Sequence, residues 1–146
     1  MFDVVVIGAG IMGAAVSREL SKYELKILLL DKENDVSCGT TKANSAIVHA
    51  GYDAKEGSLM AKYNVLGNAM YEDLCKEVDA PFRRVGSYVL AFSEKEKEHL
   101  EMLYQRGVNN GVPEMEIIDA AEIQKREPHV SKEAVAALYA GTAGIT

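Results

Sequence analysis

The stretch Gly8-Ala9-Gly10-Ile11-Met12-Gly13 constrains this chain more than any other. It follows Asp3 to Ile7, a short β-branched run that reads as a buried parallel strand. It opens Ile11 to about Lys22, where Ala14, Ala15 and Leu20 are spaced for one buried helix face. Lys26 to Leu30 is a second apolar strand and ends at Asp31. Strand, helix and strand within about thirty residues form a βαβ unit, which is almost always right-handed with parallel strands.

Each glycine has a mechanical task. Gly8 permits the tight turn, Gly10 lets a pyrophosphate approach the backbone, and Gly13 lets the helix pack closely on the strand. The helix N-terminus then offers unpaired N–H groups and the positive end of its dipole to phosphates. Asp31 stands where a carboxylate can accept hydrogen bonds from ribose hydroxyls. The alternative is a glycine-rich turn without a ligand; its place between strand and helix, together with Asp31, argues for the dinucleotide. Like-charge repulsion at Asp31 disfavours a 2′-phosphate, so NADP fits less well than NAD or FAD. The turn by itself serves NAD and FAD alike.

Composition sets outer bounds. A chain of 146 residues is long enough for one domain with a real core. Its formal net charge of −6 argues against nucleic acid as a partner, because phosphate binding wants a basic stripe. Cys38 and Cys75 are far apart, which fits a reducing cytoplasm better than a disulfide framework. His49, His99 and His129 are dispersed and suggest no metal cluster. The apolar N-terminus lacks a basic leader and runs into Arg18 and Glu19, so it reads as structure and not as a signal peptide. No apolar stretch is long enough to cross a bilayer. Contact with a membrane surface stays open.

Further along, Asn34 to Ser45 is a loop by composition, and Ala46 to Ala50 a short extended piece. Leu59 to about Val78 reads as a helix, with Leu59, Tyr63, Leu66, Met70 and Leu74 as its apolar stripe. This stripe is expected in the core. Pro81 marks a break, and the domain boundary is expected near residue 80. Gly86 to Phe92 reads as a strand, and Ser93 to Arg106 as a helix opened by a Ser93/Glu96 capping box. Val112 to Ile118 is a loop and short strand, Asp119 caps a helix through Arg126, and Ala134 to Ala140 is a last strand. The sequence stops just after an apolar run, with only two clear strands of a doubly wound sheet. It is therefore expected to be the front part of a longer protein.

The loop after Asp31 contains Cys38-Gly39-Thr40-Thr41-Lys42-Ala43-Asn44-Ser45, dense in hydroxyls and amides. By composition alone a surface loop without function is the commoner account. The run from Asp3 to Gly13, Asp31, and the stretch from Cys38 to Tyr52 together resemble the amino-terminal part of the flavoproteins grouped with D-amino acid oxidase. Within that group the chain is most similar to anaerobic-type glycerol-3-phosphate dehydrogenases and to L-2-hydroxyglutarate dehydrogenases and oxidases. Gly57 to Lys62, Gly86 to Ala91, Asn110-Gly111-Val112 and Glu127-Pro128 carry the likeness onward.

This resemblance implies an α/β fold. A Rossmann-like FAD-binding βαβ unit with a parallel sheet would occupy residues 1–80, and the start of a mixed α+β substrate domain residues 81–146. It implies FAD as cofactor. Gly8, Ala9, Gly10, Ile11, Met12 and Gly13 would hold the pyrophosphate. Asp31, with Lys32 beside it, would hold the adenosine ribose; relatives more often carry Glu there, which reaches further. Thr40, Thr41, Asn44 and Ser45 would line the cofactor toward the flavin, and His49 would lie close to the isoalloxazine ring. The implied reaction oxidises a secondary alcohol: a hydride leaves the carbinol carbon for the flavin while a base takes the hydroxyl proton. His49 is the candidate base, since neutral imidazole suits that task near pH 7. It could instead hydrogen-bond the flavin, attach it covalently, or simply bond the backbone.

The implied substrate is a small anionic hydroxy compound, glycerol 3-phosphate first and L-2-hydroxyglutarate second. Electrons would pass to a quinone or an acceptor subunit, in the cytoplasm or at the inner membrane face. A non-catalytic nucleotide-binding fragment and an NAD-binding regulatory domain are the readings from other classes. Arg83 and Arg84 could meet an anionic substrate, although a solvated basic pair is the plainer account. Cys38 is expected to be a small buried cysteine, and His99 and His129 to lie on the surface.

Overall fold

The structure is a computed structural model and describes residues Met1–Thr146. Backbone contacts divide the chain into two compact units, Met1–Ser45 and Ala46–Thr146. Compactness thus breaks at Ser45, well before residue 80, and the helix that follows Ser58 groups with the second unit.

The first unit holds strand β1 (Val4–Ile7), helix α1 (Ile11–Leu20) and strand β2 (Ile27–Leu30). β1 and β2 pair in parallel, with Val4 opposite Ile27 and Ile7 opposite Leu30. Asp3 secures the start of the pair: its N–H donates to the Lys26 carbonyl at 2.9 Å, and its carboxylate accepts from the Lys26 N–H at 2.8 Å. The strands are parallel as expected, but β1 is not buried: Val5 is exposed and Ile7 is 86% exposed. Parallel strands are fully buried only when helices cover both faces, and α1 lies on the Val6 side alone. α1 buries no residue, and Ala14 and Ala15, expected on its inner face, are exposed.

The second unit is built around strand β7 (Ala136–Ala140), the centre of an antiparallel sheet of order β5-β7-β6. β5 spans Ser87–Ala91 and β6 Met115–Asp119. Side chains alternate along β7. Ala136 and Leu138 join Ala91, Leu100 and Leu103 beneath helix α3 (Glu94–Asn110). Ala137 joins Ile118, Ile123 and Ala134 beneath helix α4 (Ala120–Arg126). The sheet is therefore covered on both faces, which explains why the alanine-rich β7 is almost wholly buried. Both predicted caps are present. The Ser93 hydroxyl accepts from the Glu96 N–H, and the Asp119 carboxylate accepts from the Glu122 N–H. Glu96 closes its box one residue early, accepting from the Phe92 N–H at 2.6 Å.

A second antiparallel sheet has order β3-β8-β4, from β3 (Ile47–Val48), β4 (Arg83–Arg84) and β8 (Gly144–Ile145). Helix α2 (Leu59–Glu77) completes the unit and is capped by Ser58. Its expected apolar stripe is not in the core: Leu59, Tyr63, Leu66 and Met70 are exposed, Tyr63 by 58%. The buried positions are Ala61, Asn68 and Cys75, seven residues apart and hence on one face. Small side chains admit close approach there, and the one polar residue among them is held by hydrogen bonds. No helix is long and apolar enough to cross a membrane.

Candidate functional site

The first unit gathers most of the candidate residues at the glycine turn. Gly8 leaves β1 with φ +104°, a conformation that side chains rarely adopt. Gly13 cannot carry a side chain, because a Cβ there would stand 1.8 Å from the Gly8 carbonyl oxygen. Helix and strand meet through this gap. Gly10 is extended, and a Cβ on it would meet the Thr41 hydroxyl at 3.0 Å. Ile11 and Met12 are exposed, so the first turn of α1 faces outward with N–H groups that lack partners within the helix.

Asp31 lies directly after β2 and ties that strand to the turn. Its Oδ2 accepts from the Ala9 N–H at 2.6 Å, and its Oδ1 from the Glu33 N–H at 2.9 Å. These hydrogen bonds, Glu33 first and Ala9 second, hold the carboxyl below the usual carboxylate range. The loop folds back onto the same turn. Thr41 Oγ1 accepts from the Ile11 N–H at 3.0 Å, and Asn44 Nδ2 donates to the Thr41 carbonyl at 2.6 Å. Ser37 adds a contact that the sequence did not signal: its N–H donates to the Ala9 carbonyl at 3.0 Å. Gly8 to Gly13, Asp31, Thr41 and Asn44 thus form one connected set. Thr40 and Ser45 are exposed on the loop, and Lys32 pairs with Glu33 at 3.3 Å. Cys38, expected to be buried, is exposed; only long contacts to the Asp35 and Val36 carbonyls reach its sulfur. The donor set at this turn, backbone N–H groups at a helix start beside an anchored carboxylate, suits a dinucleotide diphosphate with its ribose.

His49 belongs to the second unit, immediately after β3. Its side chain is exposed and borders a cavity of about 520 Å³, shared with Tyr52, Asp53, Asn64 and His99. His99, a surface residue as expected, therefore faces the same space. Arg84 is not simply a solvated cation. Its Nη1 donates to Asn68 Oδ1 at 3.0 Å and to the Thr142 carbonyl at 2.6 Å, and its Nη2 donates to the Asn68 carbonyl at 3.2 Å. Its Nε donates to Glu72 Oε2 at 3.3 Å. Asn68 Nδ2 in turn donates to the His49 and Thr142 carbonyls at 3.0 and 2.9 Å. The sequence signal for Asn68 was slight: a polar residue on the small-residue face of a helix.

The sequence profile of the family described as "FAD dependent oxidoreductase" matches residues 3–146. The chain belongs to this family. It is 53% identical over 145 residues to a glycerol 3-phosphate dehydrogenase of Caloramator mitchellensis, covering 99% of this chain and 30% of that protein. It is 37% identical over 124 residues to a mitochondrial L-2-hydroxyglutarate dehydrogenase of Dictyostelium discoideum, covering 84% of this chain and 28% of the relative. Among solved structures, a dithionite-reduced L-alpha-glycerophosphate oxidase from Mycoplasma pneumoniae with FAD bound superposes with a TM-score of 0.89 at 34% identity, covering 99% of this chain and 38% of that one. The chain thus spans about a third of the length of the curated relatives it matches.

Proposed function

We propose that this chain binds FAD at the glycine turn of its first unit and serves the oxidation of glycerol 3-phosphate. The observation that carries the reading is the turn anchored by Asp31, with the Ala9 N–H 2.6 Å from its carboxylate and the exposed start of α1 beside it. Family membership and the FAD-bound relative support the cofactor. The 53% identical glycerol 3-phosphate dehydrogenase supports the substrate, and L-2-hydroxyglutarate is the second candidate on the weaker 37% likeness.

In this reading Gly8, Ala9, Gly10, Ile11, Met12 and Gly13 cradle the pyrophosphate by backbone N–H groups and the helix dipole. Asp31 accepts from the adenosine ribose, with Lys32 beside it. Thr40, Thr41, Asn44 and Ser45 line the remainder of the ligand. FAD supplies the electron acceptor for the alcohol. His49 takes the substrate hydroxyl proton on a ring nitrogen, as a neutral imidazole can near pH 7. Residues 1–80 would be the cofactor-binding part and 81–146 the start of the substrate part, with compactness setting no limit on that division. A quinone or acceptor subunit would receive the electrons, in the cytoplasm or at the inner membrane face.

Calorimetric titration of the chain with FAD, and separately with NAD, tests the cofactor. Saturable FAD binding with little NAD binding is expected; NAD binding alone would overturn the reading. Anaerobic bleaching of the FAD-loaded protein by glycerol 3-phosphate or L-2-hydroxyglutarate then decides the substrate. Bleaching by the second alone would replace the first.

A further inference from the structure

We propose that Asn68 and Arg84 are positioning residues for His49, joined in a polar clamp that fixes the main chain where β3 ends. Asn68 is only 5% exposed, and an amide buried so deeply must have its donors and acceptor satisfied. Both N–H groups are used, one on the His49 carbonyl and one on that of Thr142. Arg84 settles which way the amide faces. Guanidinium groups only donate, so the oxygen must turn toward Nη1, and Nδ2 is left for the two carbonyls. Arg84 is itself held by Glu72, by the Thr142 and Asn68 carbonyls, and by the Phe82 ring 5.4 Å from its guanidinium carbon.

One helix side chain therefore binds the end of β3 and the turn before β8, and an arginine from β4 locks it. The carbonyl captured at the end of β3 is that of His49 itself. Its neighbours Val48 and Ala50 are buried, so the backbone under the imidazole is fixed from both sides while the ring remains exposed at the cavity. Fixing the backbone leaves the ring its side-chain torsions only, which is the order of placement a general base needs. The functional weight of the clamp rests on the proposed base role of His49; its structural claim does not.

The test follows the imidazole cross-peaks of the three histidines by ¹H–¹³C NMR in the whole chain. Asn68→Asp keeps the shape of the side chain and removes its donors. The His49 peak is expected to move or split while that of His129, in another part of the unit, stays. Arg84→Lys keeps the charge and loses the fork, so it should move the His49 peak in the same direction by less. If Asn68→Asp does not fold, Arg84→Lys decides by the same peaks. An unmoved His49 peak, or a His129 peak that moves as far, overturns the proposal. Anaerobic flavin bleaching by glycerol 3-phosphate in His49→Asn separates the two readings: an unchanged bleaching rate would remove the base role of His49 and leave the clamp standing.

Discussion

Asp31 does two jobs with one carboxylate: Oδ1 closes its own turn at Glu33, and Oδ2 fastens the glycine turn through Ala9. Asp31→Asn keeps the shape but sets an amide N–H against one of those backbone donors. FAD affinity is expected to fall by about tenfold, as for loss of a charge-assisted hydrogen bond, read by calorimetry. The pH dependence has a definite sign. Because the folded carboxyl titrates below its ordinary value, its contribution to stability is present above that ordinary value and fades as the pH falls through the lower, folded one. An acid titration of the wild type should show this loss on the acid side of the usual Asp range, and Asp31→Asn should not show it. Thr142 presents the opposite case. Its hydroxyl oxygen is buried without a partner, although its carbonyl is well bonded. Thr142→Val should leave urea stability unchanged or raise it by up to about 1 kcal/mol, since no hydrogen bond is lost. A fall of that size would mean the hydroxyl is bonded in solution. Asp31 was legible in the sequence because its place follows from the end of a strand. Asn68 and the bonding of Arg84 were not, because their partners lie on segments that come together only in the folded chain.

At the scale of elements, local chemistry read well and packing did not. Ser93 caps where its spacing to Glu96 places it, and Asp119 caps the helix through Arg126 as expected, since capping depends on residues within one turn. The strands and helices fall close to their expected limits for the same reason. α3 runs a turn further than expected and stops at Gly111. The facing of α2 was misread because apolar spacing identifies a stripe without saying whether anything covers it. The two-residue strands β4 and β8 were missed entirely: two residues show no period, and Arg83-Arg84 has no strand character of its own. Gly13 offers the sharpest test of an element contact. Gly13→Ala would force α1 off β1, with an expected loss of about 3 kcal/mol in urea unfolding and of FAD binding along with it. Unchanged stability would show that the helix can slide without cost.

Taken as a whole molecule, the chain carries its best-packed core in the second unit, around β7. It leaves apolar side chains outside on both units: Val5 and Ile7 on one, Leu59, Met60, Tyr63 and Met70 on the other. Exposed apolar surface of this extent favours association. Sedimentation velocity should show growth with concentration, and Tyr63→Lys with Met70→Lys should reduce it; a wild type that stays monomeric at every concentration would count against the expectation. The parallel pairing of β1 and β2 could be anticipated from the βαβ signature, whereas the second sheet joins residues nearly a hundred positions apart, which no local pattern encodes. One last consequence follows from the Thr41 hydroxyl resting on the Ile11 amide. One N–H group at the start of α1 is thus already engaged by the chain itself. In the proposed FAD reading, a phosphate taking up that amide would displace the Thr41 hydroxyl, so capture there would be an exchange of partners.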